Sequence, residues 1–397
     1  MRRTLSAVYL AVLTVIAASA QEAVDEMALA VGEFYEVRST SGAEDARALA
    51  TEMDLRFSAY AQLFRFDPTM LSGKLKIRAF GDQEAFDAYL SSKLGETREE
   101  ASYLHYGAGG RTEQENLSEL VLLRSAASGR IFAHQAFVQY LRAFIPNPPM
   151  WIREGFAVYF EGLGYDAAKG ELTYEENLDW LETVKSWGLK APSIPSVMLA
   201  DLEGVPLLDR TTLTGASWAL ASFLLNTEEE AYRRTLYESF MTLDPAKSAA
   251  DNAVAVASRS AVWLDSETAL KDCTAYLTSR RTFPELIEAG RAAYAAKESD
   301  RAELLFMSAA DTRPTHYAPH YYLGLLAYER KDYSLAENHY RTAEQLGADA
   351  ALVNYALGIN AASDGRKADA ISFLEKAKAA APARYAVKAD ELIARLK

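Results

Sequence analysis

The chain has 397 residues, half of them hydrophobic and 24% charged, and a formal net charge of −13. That composition excludes a disordered chain, and the length exceeds what one ordinary core fills, so two or three domains are expected. The acidic balance argues against nucleic acid or anionic lipid as a partner, and with Cys273 the only cysteine an intrachain disulfide is excluded. Cys273 falls on a segment that reads as an amphipathic helix, where a single thiol is a small buried residue rather than a reactive one.

The first twenty residues read as a processing signal. Arg2 and Arg3 precede an apolar run from Leu5 to Val15, and Ala18-Ser19-Ala20 supplies small residues before Gln21. The run is too short for a good membrane span, no Cys follows it to carry a lipid, and no later segment resembles a transmembrane helix. We expect a protein secreted across the inner membrane into the periplasm. Removal of the two arginines takes the net charge from −13 to −15.

From Glu33 onward strand and helix alternate. Phe34 to Arg38 reads as a strand. Glu44 to Phe64 follows as a helix with Leu49, Met53, Phe57, Tyr60 and Phe64 on one stripe. Leu75 to Phe80 alternates with period two, as a half-buried strand does, and Gln83 to Leu90 reads as a helix. Tyr103 to Tyr106 and Leu120 to Leu123 are two more expected strands, separated by a Gly-rich loop at Gly107 to Gly110. Two helices follow, Arg130 to Phe144 and Met150 to Glu161, with Pro146, Pro148 and Pro149 breaking the chain between them. A small sheet followed by helices is an α+β layout. The middle third reads as mostly helical, at Asn177 to Trp187, Gly215 to Asn226, Glu228 to Met241 and Ser266 to Ser279. Thr214 is the expected cap of the second.

The last third repeats. Gly290, Gly324 and Gly358 are 34 residues apart; Ala302, Ala336 and Ala370 keep that period, as do Ala309, Ala343 and Ala377. Phe306, Tyr340 and Leu374 fill the large apolar position between the alanines. A fixed 34-residue period with small residues where paired helices touch resembles the tetratricopeptide repeat. The resemblance implies three units, 283–316, 317–350 and 351–384, followed by a capping helix that shields the last one.

The segment that carries chemistry is His134-Gln135-Ala136-Phe137-Val138, followed by Trp151-Ile152-Arg153-Glu154-Gly155. A zinc hydrolase of the H-E-x-x-H type needs two His one helical turn apart, so that both imidazoles reach one ion. A Glu between them takes the proton of the metal-bound water. Here the base position is Gln135, which has no basic carboxylate, and the second ligand position is Val138, which has no lone pair. Gln139 lies one position too far round the helix to replace it, and His105 sits on an expected strand or its loop.

Residues 131–161 resemble the gluzincin zinc peptidases, and more narrowly the peptidase-MA-like families of exported bacterial proteins, in which tryptophan, two residues, glutamate and glycine follow the histidines about twenty residues on. Trp151, Glu154, Gly155, Ala157, Tyr159 and Phe160 match. The resemblance implies an α+β gluzincin-like core over 21–165, a helical continuation over 166–280, and then the all-α repeat solenoid over 283–397. It implies His134 as the first zinc-ligand position and Glu154 as the third. With the base and one ligand lost, no catalytic residue, metal or other cofactor is expected, and His134 and Glu154 are expected to pair with each other across the helix contact.

Binding is the function that remains. By the usual arrangement of such repeats, the concave groove would present Ile287, Arg291, Tyr294, Tyr321, Leu325, Tyr328, Tyr355 and Ile359 to a protein or peptide, unless these tyrosines pack against neighbouring helices. Three readings follow: a pseudo-peptidase scaffold, an active zinc peptidase using an atypical ligand set around His134 and Glu154, and a dead cleft that grips a peptide by adding it to an edge strand. His316 and His320, spaced i, i+4 about Pro319, are a weak metal pair, and His339 reads as a solvated helix residue. The sequence does not set the oligomeric state.

Overall fold

The computed structural model describes residues 27–98, 100–106, 117–126, 129–205 and 207–397. The expected signal segment and the Gly107 to Gly110 loop lie outside them. The chain divides into two compact units, one up to Ser279 and one from Arg280 to Lys397.

The first unit is built on a five-stranded sheet of order β1-β2-β3-β5-β4. Its strands are β1 (Ala28–Val31), β2 (Tyr35–Ser39), β3 (Leu75–Phe80), β4 (Ala101–Tyr106) and β5 (Leu117–Leu123). The three inner strands run parallel, and β1 and β4 pair antiparallel at the two edges. Helix α1 (Ala43–Phe64) crosses between β2 and β3, and α2 (Gln83–Leu94) follows β3. The stripe Leu49, Met53, Phe57, Tyr60 and Phe64 is fully removed from solvent against the main core. The opposite face of the sheet is covered by α2, where Phe86, Tyr89 and Leu90 meet Phe80, Leu104 and Val121. Burial on both faces explains why β5 reads as a continuous apolar run rather than an alternating one.

Helices α3 (Arg130–Phe144) and α4 (Met150–Phe160) come next, then a hairpin of β6 (Leu163–Asp166) and β7 (Glu171–Tyr174). The helices α5 (Leu181–Trp187), α6 (Ile194–Met198), α7 (Arg210–Asn226), α8 (Glu230–Thr242), α9 (Ala249–Ser260) and α10 (Ser266–Ser279) complete the unit. One core runs from Ala30 to Leu277, through both segments on either side of residue 165. Its centre is aromatic: Phe64 stacks on Phe240, and Tyr60, Phe137, Tyr140, Phe156 and Phe160 close around them. Cys273 is buried as expected, 3.8 Å from the Ala219 carbonyl. Burial pushes its thiol up to about 12, which disfavours the reactive thiolate.

Gly155 sets how closely α4 and α7 approach. A Cβ there would lie 2.3 Å from the Ser217 carbonyl oxygen, a backbone atom that cannot swing away. The expected start of α7 is corrected: the helix begins at Arg210, capped by Asp209 accepting from the Thr212 N–H, and Thr214 lies inside its second turn. Helix α9 was not expected, because its buried face is Asn252, Ala253, Val256 and Ser260, too small and polar for apolar periodicity to reveal.

The second unit is an array of antiparallel helix pairs: α11 (Phe283–Ala295) with α12 (Ser299–Thr312), α13 (Tyr317–Glu329) with α14 (Tyr333–Gln345), α15 (Ala350–Ser363) with α16 (Lys367–Ala380), and a final α17 (Pro382–Leu396). The 34-residue glycines sit where paired helices cross. A Cβ on Gly290 would come within 2.6 Å of the Phe306 ring, on Gly324 within 2.5 Å of the Tyr340 ring, and on Gly358 within 2.8 Å of Leu374. The large residue of each second helix therefore fills the space its glycine leaves. Gly324→Ala should destabilise the array by about 1–3 kcal/mol through overpacking, and the double change Gly324→Ala, Tyr340→Leu should recover part of that in denaturant melts. The turn inside each pair also repeats, with Lys297, Lys331 and Gly365 in the left-handed region at φ 60, 64 and 79°.

Candidate functional site

The candidate site lies where α3 runs beside the edge strand β4 and α4 folds back after the proline break. Helix α3 ends at Phe144, with Ile145 as its C-cap, and α4 starts after Pro149. The Met150 N–H at its first turn donates to Asp201 Oδ2 at 2.8 Å, an anion where a helix N-terminus favours one. Burial is the larger influence on that carboxyl and raises its pKa.

His134 does not pair with Glu154. Its Nδ1 lies 2.9 Å from Glu161 Oε1, and the other oxygen of Glu161 accepts from Asn177 Nδ2 at 2.6 Å. Glu161 wins because it follows directly on the last turn of α4, while Glu154 is turned to its neighbour: Arg153 Nε and Nη2 both lie 2.9 Å from Glu154 Oε1. Sequence reasoning missed Glu161 and Asn177, since an acid twenty-seven residues downstream carries no spacing signal.

Gln135 reaches the edge strand, where its Oε1 accepts the Tyr103 N–H at 3.3 Å. Val138 is 9% exposed and packs into the main core. Gln139 is buried and donates to the Lys76 carbonyl at 2.8 Å, away from any ligand role. His105 is on β4 with its Nδ1 3.2 Å from the Tyr103 hydroxyl, which also meets Ser118 Oγ at 2.9 Å. Burial first, and then the charge of Arg142, hold the His105 pKa below its ordinary value. Glu154 and Arg153 line a cavity of about 330 Å³ with Met150, Leu208, Arg210 and Leu213. Among the described residues no three His, Cys, Asp or Glu side chains converge as a metal-binding group.

In the repeat unit, Arg291 is exposed while Ile287, Tyr294, Tyr321, Leu325, Tyr328, Tyr355 and Ile359 are half-buried. Two of the phenols reach the next repeat by equivalent contacts. Tyr294 donates to Glu329 Oε1 at 2.5 Å, and the Tyr328 hydroxyl meets Ser363 Oγ at 3.0 Å. Tyr355 stacks on Tyr385 of α17 with ring centroids 4.7 Å apart.

The His316–His320 pair does not form. His316 caps α13, its Nδ1 accepting the Ala318 N–H at 3.1 Å. His320 instead meets His339 of α14, Nδ1 to Nδ1, at 3.3 Å, so His339 is half-buried and partnered rather than solvated. Burial lowers the pKa of both, and for His339 the charge of His320 lowers it further, while Glu303, held by Arg330, opposes. A folded pKa below the unfolded value of about 6.5 means that protons favour the unfolded chain. The stability contributed by this neutral pair is full above that pH and is lost as pH falls through it. Amide exchange in α13 and α14, corrected for intrinsic rates, should therefore quicken from pH 7.5 to 5.5, and less so in His339→Gln.

No family model matches the chain, and no curated protein matches it in sequence. Among solved structures the chain is similar to MamA, residue 41 to the end, from Desulfovibrio magneticus RS-1, at 17% identity and a TM-score of 0.25 over 43% of this chain and 95% of that one. A MamA RS-1 ArsTM double mutant stands at 16% identity and a TM-score of 0.26, over 43% and 96%. Overlaps at these scores carry no argument about fold or function.

Proposed function

We propose that the chain is an exported, non-catalytic relative of the gluzincin peptidases, periplasmic in location, whose tetratricopeptide-type repeats bind a protein or peptide and make it a scaffold of the cell envelope. The observation that carries the non-catalytic part is the face of α3. Where a peptidase needs a carboxylate base and a second imidazole, this helix has Gln135, whose oxygen is engaged by the Tyr103 N–H, and the buried Val138. The five-stranded sheet with an antiparallel edge beside α3 fits the peptidase-like reading.

One contact favours a second reading, an active zinc peptidase with an atypical ligand set. A metal-bound histidine donates its other ring nitrogen to a carboxylate, and His134 Nδ1 is already held by Glu161. We take this as a retained support around a lost ion, because two donors fall short of the three that catalytic zinc requires.

Binding by the repeats is supported by their half-buried tyrosines, which offer large contact area with a polar tip at little entropic cost. A photo-crosslinking residue at Arg291, tested in cells, should give discrete protein adducts. The same residue at the exposed Leu304 of α12 should not. Equal labelling from both positions, or none from Arg291, would remove the groove from the account.

A further inference from the structure

We propose that the face of α3 beside the edge strand β4 binds a carboxylate, anchored by Arg142, and that the ligand it takes is a peptide ending there with its free C-terminal carboxylate.

Arg142 is one turn beyond Val138 and two turns beyond His134, on the same face of α3. It is half-buried, and its Nε is shielded from solvent with no hydrogen-bond partner among the described residues. The charged and polar groups near enough to act on it are Arg153 and Glu154 of α4 and Tyr103 and His105 of β4. The only carboxylate in that group, Glu154, is already held by Arg153 through two nitrogens at 2.9 Å. Two guanidinium groups thus share one negative charge, and one of them keeps a buried donor unused. A planar carboxylate is the group that a guanidinium fork accepts with two parallel bonds, and it would supply the missing charge.

The edge strand decides between a chain passing through and a chain ending. A peptide added along β4 would need the outward-facing N–H of Tyr103, and Gln135 Oε1 already occupies it at 3.3 Å. The lost catalytic base has become a stop on the edge. A chain entering beside β4 therefore terminates near Arg142, where its carboxylate meets the guanidinium whose Nε has no partner. The carboxylate chemistry stands on these contacts alone, whereas a peptide as its source rests on the peptidase-like reading of the cleft.

Calorimetric titration of the full chain with trialanine, trialanine amide and acetate tests this. Trialanine should bind, and its amide should bind at least about tenfold more weakly, the loss expected when a charge-assisted fork is removed. Arg142→Gln should lose trialanine binding by at least about tenfold without lowering the melting temperature, because it removes a half-buried cation whose Nε has no partner. Arg142→Lys, which keeps the charge but not the fork, should fall between the two. Equal binding of acid and amide, or retention of binding in Arg142→Gln, overturns the site. Acetate binding as tightly as trialanine overturns the peptide as the source. Zinc found at His134 would sink the non-catalytic reading and leave these titrations to decide the anion site separately.

Discussion

Gln135→Glu combined with Val138→His should raise zinc affinity from a Kd of about 1 mM or weaker to about 1 µM or tighter, a gain of at least about 4 kcal/mol. The change places a second imidazole one helical turn from His134, on the face of α3 that already meets β4 and α4. His134 Nδ1 is fixed by Glu161, so Nε2 is the nitrogen left for an ion. Glu154 must exchange Arg153 for the metal, a trade of a partly buried ion pair for a coordinate bond. Glu at 135 keeps an oxygen for the Tyr103 N–H and supplies a carboxylate base. Gln135→Glu alone adds a base without a ligand and should leave zinc unbound. Competition with a chelating dye measures each variant. No gain in the double variant would mean that Glu154 does not occupy the third ligand position.

Arg56→Met should cost about 3–5 kcal/mol, the usual penalty for stranding one member of a buried ion pair. The side chains of Arg56 and Glu52 are 1% and 8% exposed, one helical turn apart on α1 and 2.9 Å from each other. Arg56 also donates to the Leu163 carbonyl at 2.7 Å, tying α1 to the start of the hairpin, and its guanidinium lies over the Phe132 ring. Removing it leaves a buried carboxylate and a buried carbonyl without their donor. Replacing both partners, Glu52→Leu with Arg56→Met, should recover most of the loss, since apolar groups need no partner. Denaturant melts of the two variants separate the pair from the packing. Equal losses in the single and double variants would place the cost in the Leu163 contact instead.

How much of this was legible follows from where periodicity is strong. The stripe of α1, the alternation of β3 and the glycine–aromatic spacing of the repeats are read directly, because each repeats a burial pattern many times. Strand β1 and the β6–β7 hairpin are four-residue strands with mostly exposed or half-exposed side chains, so they leave too short a pattern. Helix α9 escapes because its core face is made of small and polar residues. That Gln135 and Val138 stand where the proposed peptidase relation needs Glu and His is plain in the sequence, but the partners are not. Glu161 replaces Glu154 at His134, and His339 replaces His316 at His320, because these contacts join elements that only tertiary packing brings together. Arg142 carries a signal that helical spacing does supply: it extends the face of His134 and Val138 by one turn.

The most direct measurement is the metal content of the unaltered protein, purified without chelator and set beside His134→Ala. Too few electron-pair donors meet at this cleft to retain an ion, so both preparations should carry the same trace of zinc and show no chelator-sensitive peptide cleavage. One equivalent of zinc that vanishes with His134, together with cleavage that a chelator abolishes, would contradict the account.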